Sequence, residues 1–191
     1  MKKLTDAADE AAAALQKEEF RREREIRCAR DIIRETKKMI HAIHVSEDRS
    51  GSRVVLCELV SDLLKDYSGH ADDALAEFAE AMILESVVDG KVVPSFEDLG
   101  IGAGPWVLGL ADSLGELRRV VLTSLMSDDL PRASSLFSEM ESISHSIMMF
   151  DVPDAVLPIR RKQDIARGVM EKTRTDIANA VMASKIKAQA L

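Results

Sequence analysis

Residues 2–46 contain neither glycine nor proline. From Ile26 onward the apolar and small positions fall at Ile26, Ala29, Ile33, Thr36, Ile40 and Ile43, steps of three and four that place them on one narrow helical seam. The spacing predicts a single helix over this whole stretch. A helix so long, with so thin an apolar stripe, is not stable by itself, so other helices must cover it.

The rest of the chain punctuates itself in the same vocabulary. SEDRSGSR (46–53) ends the first helix, and a second is expected from Val54 to Lys65. After YSGH, a third runs from Ala71 to Val88 and stops at Asp89-Gly90. VVPSFEDLGIGAGP (92–105) is irregular, with room for one helical turn over Phe96 to Leu99. Pro105 suits the first residue of a long helix reaching Met126. Leu130-Pro131 opens another, to Phe150, and Pro153 and Pro158 bound a turn before a last helix that runs nearly to the C-terminus. Aromatic residues make up only 4% of the chain, while Ala, Leu, Glu, Arg, Lys and Met recur, which favours helices over sheets. The expected fold is all-α: a single domain over residues 1–191 with six or seven long helices. Helices of this length often pair between subunits, so an oligomer is expected as well.

No apolar run approaches the length of a membrane span. Cys28 and Cys57 lie on separate predicted helices without C-x-x-C spacing or a leading signal peptide, which fits a reducing, cytoplasmic setting. The net charge of −7 argues against a polyanionic partner only on average, because basic groups can gather on one wall while acids occupy another.

Two short stretches carry the candidate chemistry. On the helical wheel of AEFAEAM, Leu75, Phe78, Ala79, Met82 and Ser86 share one side, and Asp73, Glu77, Glu80 and Leu84 share the other. On the wheel of PWVLGLADSLGELRRVVLTSL, Trp106, Leu110, Leu114, Leu117 and Val121 form the core stripe, opposite Asp112, Glu116 and Arg119. Both acid sets read most simply as solvated faces, with Glu116 and Arg119 as a weak surface pair. Yet Glu77-x-x-Glu80 and Asp112-x-x-x-Glu116 each set like charges one turn apart, which costs a few tenths of a kcal/mol unless a cation offsets it. Oxygen donors of this kind suit Mg²⁺ or Mn²⁺. The histidines offer less: His41 and His44 read as ordinary helix-face residues, and no Glu-x-x-His accompanies them. The G-x-G at Gly102 and Gly104 follows no strand and reads as loop.

REREIRCARDIIRETKKMIHAIH, LAEFAEAM, WVLGLADSLGELRRVVLTSL and RRKQDIARGVMEKTRTDIANA resemble, in that order, the successive helices of the translin family, and GLADSLGELRR is the most specific part. The resemblance spans roughly Arg21 to Ala180. Within the family, the branch of translin-associated factor X (Trax) is known for a metal-dependent endoribonuclease site. That site takes two glutamates from an E-x-x-E, an aspartate from G-x-A-D and a glutamate one turn further on. Glu77, Glu80, Asp112 and Glu116 match these positions, whereas the translin branch lacks the aspartate. The chain therefore looks Trax-like and catalytically equipped, and its length is similar to that of compact archaeal relatives that form closed homo-oligomers, typically octamers with the sites facing an enclosed cavity. A separate translin partner is not implied.

The resemblance implies hydrolysis of single-stranded RNA, with Glu77, Glu80 and Asp112 holding Mg²⁺ or Mn²⁺ and Glu116 as a further ligand or an orienting group. Candidates for nucleic-acid contact are Arg118, Arg119, Arg160, Arg161, Lys162 and Arg167. A basic group at the start of a helix has no dipole advantage, so some other demand places the Arg160-Arg161-Lys162 cluster there. Arg21, Arg22, Arg24, Arg27 and Arg30 alternate with Glu19, Glu23 and Glu25 and read as a salt-bridged face or an oligomer contact. Two other readings stay open: a non-catalytic ring that binds single-stranded RNA or DNA, with the acids vestigial, and a helical scaffold with no nucleic-acid role.

Overall fold

In the computed structural model, which describes residues 3–189, the glycine-free start is one helix, α1 (Leu4–Val45). Ser46 ends it with a left-handed backbone (φ 57°), and the turn lets the Glu47 N–H reach the Ala42 carbonyl at 2.9 Å. There follow α2 (Ser50–Leu64), α3 (Asp72–Val88), the single turn α4 (Phe96–Leu99), α5 (Ala103–Met126), α6 (Leu130–Met148) and α7 (Arg160–Gln189). The described residues contain no strand, and none of their helices is long and apolar enough to cross a membrane. The fold is all-α, as expected.

Several boundaries moved, each for a local reason. α2 begins at Ser50, earlier than Val54. The Asp48 carboxylate accepts the Ser50 N–H at 3.0 Å, and Arg53 in the first turn donates to Glu85 of α3 at 2.9 Å, so tertiary ion pairs hold a serine- and glycine-rich start in helix. α5 begins at Ala103, which puts Pro105 third in the helix, where a backbone N–H is still not needed. α4 is closed by a capping box: Ser95 Oγ accepts the Asp98 N–H at 3.1 Å and Asp98 accepts the Ser95 N–H at 2.9 Å. The Trp106 indole N–H donates to the Pro94 carbonyl at 2.8 Å and ties this loop to α5.

The helices stack in a row. α3 and α5 form the central and most extensive pair; α1 covers the other side of α3 and carries α2, while α6 and α7 cover α5 and each other. α3 is therefore buried on almost every side, from Ala74 through Val87, and Leu84, which the wheel put outside, is fully enclosed. The seam of α1 is also broader than its spacing suggested. Ile32 and Met39 are completely buried, whereas Ile26, Ala29, Ile33 and Ile40 are only partly so, because α1 packs on α2 and α3 at once. Beyond the body, Leu4, Leu15 and Phe20 at one end of α1 and Met182 and Ile186 near the end of α7 stand exposed.

One member of the arginine–glutamate face is not surface at all. Glu25 is completely buried and accepts hydrogen bonds from Ser68 N–H (2.8 Å), Ser68 Oγ (2.6 Å) and His70 N–H (3.1 Å), so it holds the α2–α3 connection against α1. Burial alone would raise its pKa; these donors outweigh it and bring the pKa below the ordinary carboxylate value. Arg21 pairs with Glu18 on α1 at 2.5 Å and reaches Asp66, beyond α2, at 3.9 Å, while Arg24 reaches the same Asp66 at 3.6 Å.

Among the glycines, Gly109 is the most closely approached. A Cβ there would lie 2.4 Å from the Ala76 carbonyl oxygen, 2.7 Å from Ala79 Cβ and 2.8 Å from the Glu80 nitrogen, so no side chain fits between α5 and α3. Gly115 on the same helix faces open space. Gly109→Ala is expected to force the two backbones apart and cost about 1–3 kcal/mol or more, a fall of several degrees in Tm. Gly115→Ala is expected to leave Tm unchanged or raise it, since alanine is the better helix former. Thermal melts of the two variants check this, and equal effects would show that Gly109 does not serve the α3–α5 contact.

Candidate metal centre

The close contact at Gly109 also positions the acids. Glu80 contributes its own backbone nitrogen to that contact, Glu77 sits one turn before it, and Asp112 and Glu116 follow Gly109 along α5. All four side chains are partly buried, so they emerge along a seam between two helices that are otherwise enclosed. Glu77, Glu80 and Glu116, with Arg119 and with Lys37, Ile40 and His41 of α1, line an open depression of about 400 Å³. Glu77, Glu80 and Glu116 thus share one depression instead of lying on two separate solvated faces, and Asp112, outside its lining, is near enough for its charge to bear on Glu77 and Glu80.

Their charges oppose one another. The Glu80 carboxyl is pushed up to about 8, first by burial and then by Glu77, Asp112 and Glu116, with Lys162 acting the other way. Glu77 is also raised, by burial, against the pull of Lys37 and with a further push from Asp112. Asp112 is held from a distance in sequence: Lys162 Nζ donates to both its oxygens, at 2.7 and 2.5 Å. Glu116 is held by His44, whose Nε2 bonds to its Oε2, and Arg119 approaches the same oxygen at 4.0 Å.

The His44 contact corrects the reading of that residue as an ordinary helix-face histidine. Its side chain is only 4% exposed and its Nδ1 is buried without a partner. Nothing local could have shown this, because its carboxylate partner lies 72 residues away on α5. His41, by contrast, is exposed on the wall of the depression.

The six basic candidates separate. Arg118 turns to α7, donating to Thr173 Oγ1 at 2.9 Å and pairing with Asp176 at 2.8 Å, and Lys162 turns to Asp112. Arg160 lies 3.9 Å from Asp154, and Arg167 pairs with Asp164 at 2.5 Å, both on the exposed surface. Arg119 and Arg161 are exposed, and only Arg119 borders the acids.

With the side chains as they stand, no group of three or more His, Cys, Asp or Glu among the described residues is set to hold a metal ion. Asp112 and Glu116 are engaged by Lys162 and His44 instead. The donor chemistry nevertheless fits a hard divalent cation: the set is all carboxylate oxygen, the charges of its members help raise the pKa of Glu77 and Glu80, and an ammonium already stands in as a cation at Asp112.

No family model matches the chain. The uncharacterized protein MJ0175 of Methanocaldococcus jannaschii is 34% identical over 175 residues, covering 87% of this chain and 79% of its own length. The structure of AfC3PO in complex with duplex RNA superposes with a TM-score of 0.85 at 28% identity, covering 93% of this chain and 97% of that one. The crystal structure of AfC3PO gives 0.81 at 29% identity, with 93% and 98% covered. Apo-NeC3PO, at 20% identity and a TM-score of 0.79 over 94% and 98% of the two chains, shares the fold.

The raised Glu80 has a stability consequence. Between its ordinary pKa of 4.5 and about 8, the folded chain keeps a proton that the unfolded chain has released, so rising pH favours unfolding across that window. Glu80→Gln removes the dependence. In metal-free buffer the variant is expected to melt a few degrees above the wild type near pH 8 and level with it near pH 4. A variant that melts below the wild type at the higher pH would show that the Glu80 carboxylate is not under strain.

Proposed function

We propose, from the premise that this chain belongs to the translin family, that it is a Trax-type, metal-dependent endoribonuclease whose acids act inside a closed homo-oligomer. The observation that carries this reading is the meeting of Glu77, Glu80 and Glu116 in one depression, with the charge of Asp112 bearing on Glu77 and Glu80 and with Glu80 pushed up to about 8. An acid cluster that raises the pKa of its own members is a stability cost with no structural return, and such costs concentrate at functional sites.

Glu77, Glu80 and Asp112 would hold Mg²⁺ or Mn²⁺, with Glu116 as a further ligand or an orienting group. A divalent ion bound there acidifies a water and offsets phosphate charge. The remaining work falls to the chain itself. His44, anchored in the core of α1, fixes the orientation of Glu116. Arg119, exposed beside the acids, would take a phosphate oxygen, and Lys37 lines the same depression. Little aromatic surface is at hand for stacking, so recognition would rest on the backbone rather than on base identity.

The substrate in this reading is single-stranded RNA, with DNA as a further ligand. A structure of AfC3PO, a solved relative, is a complex with duplex RNA, so both forms belong in the test. The oligomeric part of the reading draws support from Leu4, Leu15, Phe20, Met182 and Ile186, apolar side chains left exposed where α1 and α7 run past the body. One observation favours the binding-only alternative: Asp112 is neutralised by Lys162 within the chain.

Asp112→Asn is expected to leave the fold and oligomer intact and to lower cleavage of end-labelled RNA by at least about a hundredfold, the scale on which a lost electrostatic catalytic group acts. Wild-type cleavage should require Mg²⁺ or Mn²⁺ and stop with EDTA. Tight RNA binding without cleavage in any metal would instead establish the non-catalytic reading.

A further inference from the structure

Lys162 is the third residue of α7, a position where the helix dipole disfavours a cation. Its backbone is nevertheless well fixed. Ile159, just before α7, is fully buried, and Gln163, just after Lys162, donates to the Ile147 and Phe150 carbonyls at 3.0 and 2.8 Å, pinning the start of α7 to the end of α6. From that fixed base the lysine side chain crosses to α5 and gives its ammonium to both oxygens of Asp112. The same charge bears on Glu77 and Glu80, where it opposes the repulsion among the acids. The demand that places a cation at this unfavourable helix start is therefore the acid seam.

We infer that Lys162 is an exchangeable counter-cation: its ammonium occupies Asp112 in the free protein and leaves that carboxylate when a divalent ion enters. This rests on the metal-site reading of the acids and goes beyond it, because it assigns the lysine a role as the ion's competitor rather than as an RNA contact. The physical ground is competition between like charges. An ammonium at 2.5 and 2.7 Å takes a lone pair on each Asp112 oxygen, and Mg²⁺ bonds such oxygens at roughly 2.0–2.1 Å. A divalent ion and an ammonium on one carboxylate repel each other across a few ångströms, which favours the departure of the monovalent one. The lysine is also suited to leave: its side chain is 29% exposed, Asp112 is 41% exposed, and a flexible four-carbon stem moves the charge without moving α7. His44, buried on Glu116, has no such freedom.

The test is calorimetric titration of the full-length protein with Mn²⁺, comparing wild type with Lys162→Met, Arg119→Met and Asp112→Asn. Lys162→Met is expected to bind Mn²⁺ about tenfold more tightly than wild type, the scale on which groups around metal ligands move affinity. Arg119→Met removes a cation from the same depression without freeing Asp112, and is expected to gain much less. Equal gains would reduce Lys162 to general electrostatics and overturn the inference while leaving the metal site standing. Wild-type protein that binds no Mn²⁺, with Lys162→Met also failing to bind, would overturn the metal-site reading and this inference together. A second readout uses wild-type protein with its lysines reductively methylated with ¹³C. The Lys162 resonance, identified by its absence in Lys162→Met, is expected to shift on addition of diamagnetic Mg²⁺. A resonance that stays in place while Mn²⁺ binds would show that the ammonium never leaves Asp112.

Discussion

The contact between Gly109 and the backbone of α3 is the constraint from which the rest of the molecule follows. A carbonyl oxygen 2.4 Å from the position of a Cβ leaves only glycine at that point, and with glycine there α5 closes fully onto α3. Once the pair is that close, side chains near the crossing have nowhere to go but along the seam. Ala76 and Ala79 on α3 and Ala111 on α5 are small enough to stay in it. Glu77, Glu80, Asp112 and Glu116, too long and too polar to be enclosed, come out at its edge. The packing that gives the domain its central pair of helices therefore also assembles its acids.

The chain shows elsewhere how it handles a buried carboxylate when the purpose is structural. Glu25 is enclosed completely but receives hydrogen bonds from Ser68 and His70, and its pKa falls. Glu85 accepts from Arg49 and Arg53. Glu80 sits among carboxylates, whose charges together with burial outweigh the opposing pull of Lys162, and its pKa rises. The contrast separates structural acids from the seam. That the fold satisfies its buried acids at the α2–α3 connection and at the end of α3, yet leaves one in electrostatic conflict at its centre, is the ground for the proposed reading, because such conflicts concentrate at functional sites.

The helices themselves were legible because long stretches free of glycine and proline, bounded by SGSR, Asp89-Gly90 and Leu130-Pro131, leave little choice. What the sequence concealed was which sides of a helix are covered. Wheels assume one buried face, and α3 has several; Leu84 was assigned to solvent because it shares a side with Glu77 and Glu80, and it is enclosed. The acids were read correctly as neighbours within each helix, but their meeting across helices came only through the family resemblance. Partners at long range were hidden altogether. His44 to Glu116, Glu25 to Ser68 and Lys162 to Asp112 join residues 72, 43 and 50 positions apart, and no local pattern encodes them.

The same long-range pairs decide how a chain with a net charge of −7 could meet a polyanion. Of the cations that clustered in the sequence, Arg118 is spent on α7 and Lys162 on Asp112, and neither presents a free charge while those pairs hold. Arg119 and Lys37 remain around the depression, too few to give one subunit a strong electrostatic grip, since affinity for nucleic acid scales with the number of phosphates neutralised. In the proposed reading, grip then has to come from repetition. Several copies of a weak basic rim around one space would hold a strand that a single copy would release, because linked sites act at a high effective concentration. The proposed reading thus couples closed assembly to acidic chemistry: acids that repel phosphate in a lone subunit would serve it where neighbouring subunits supply the counter-charge.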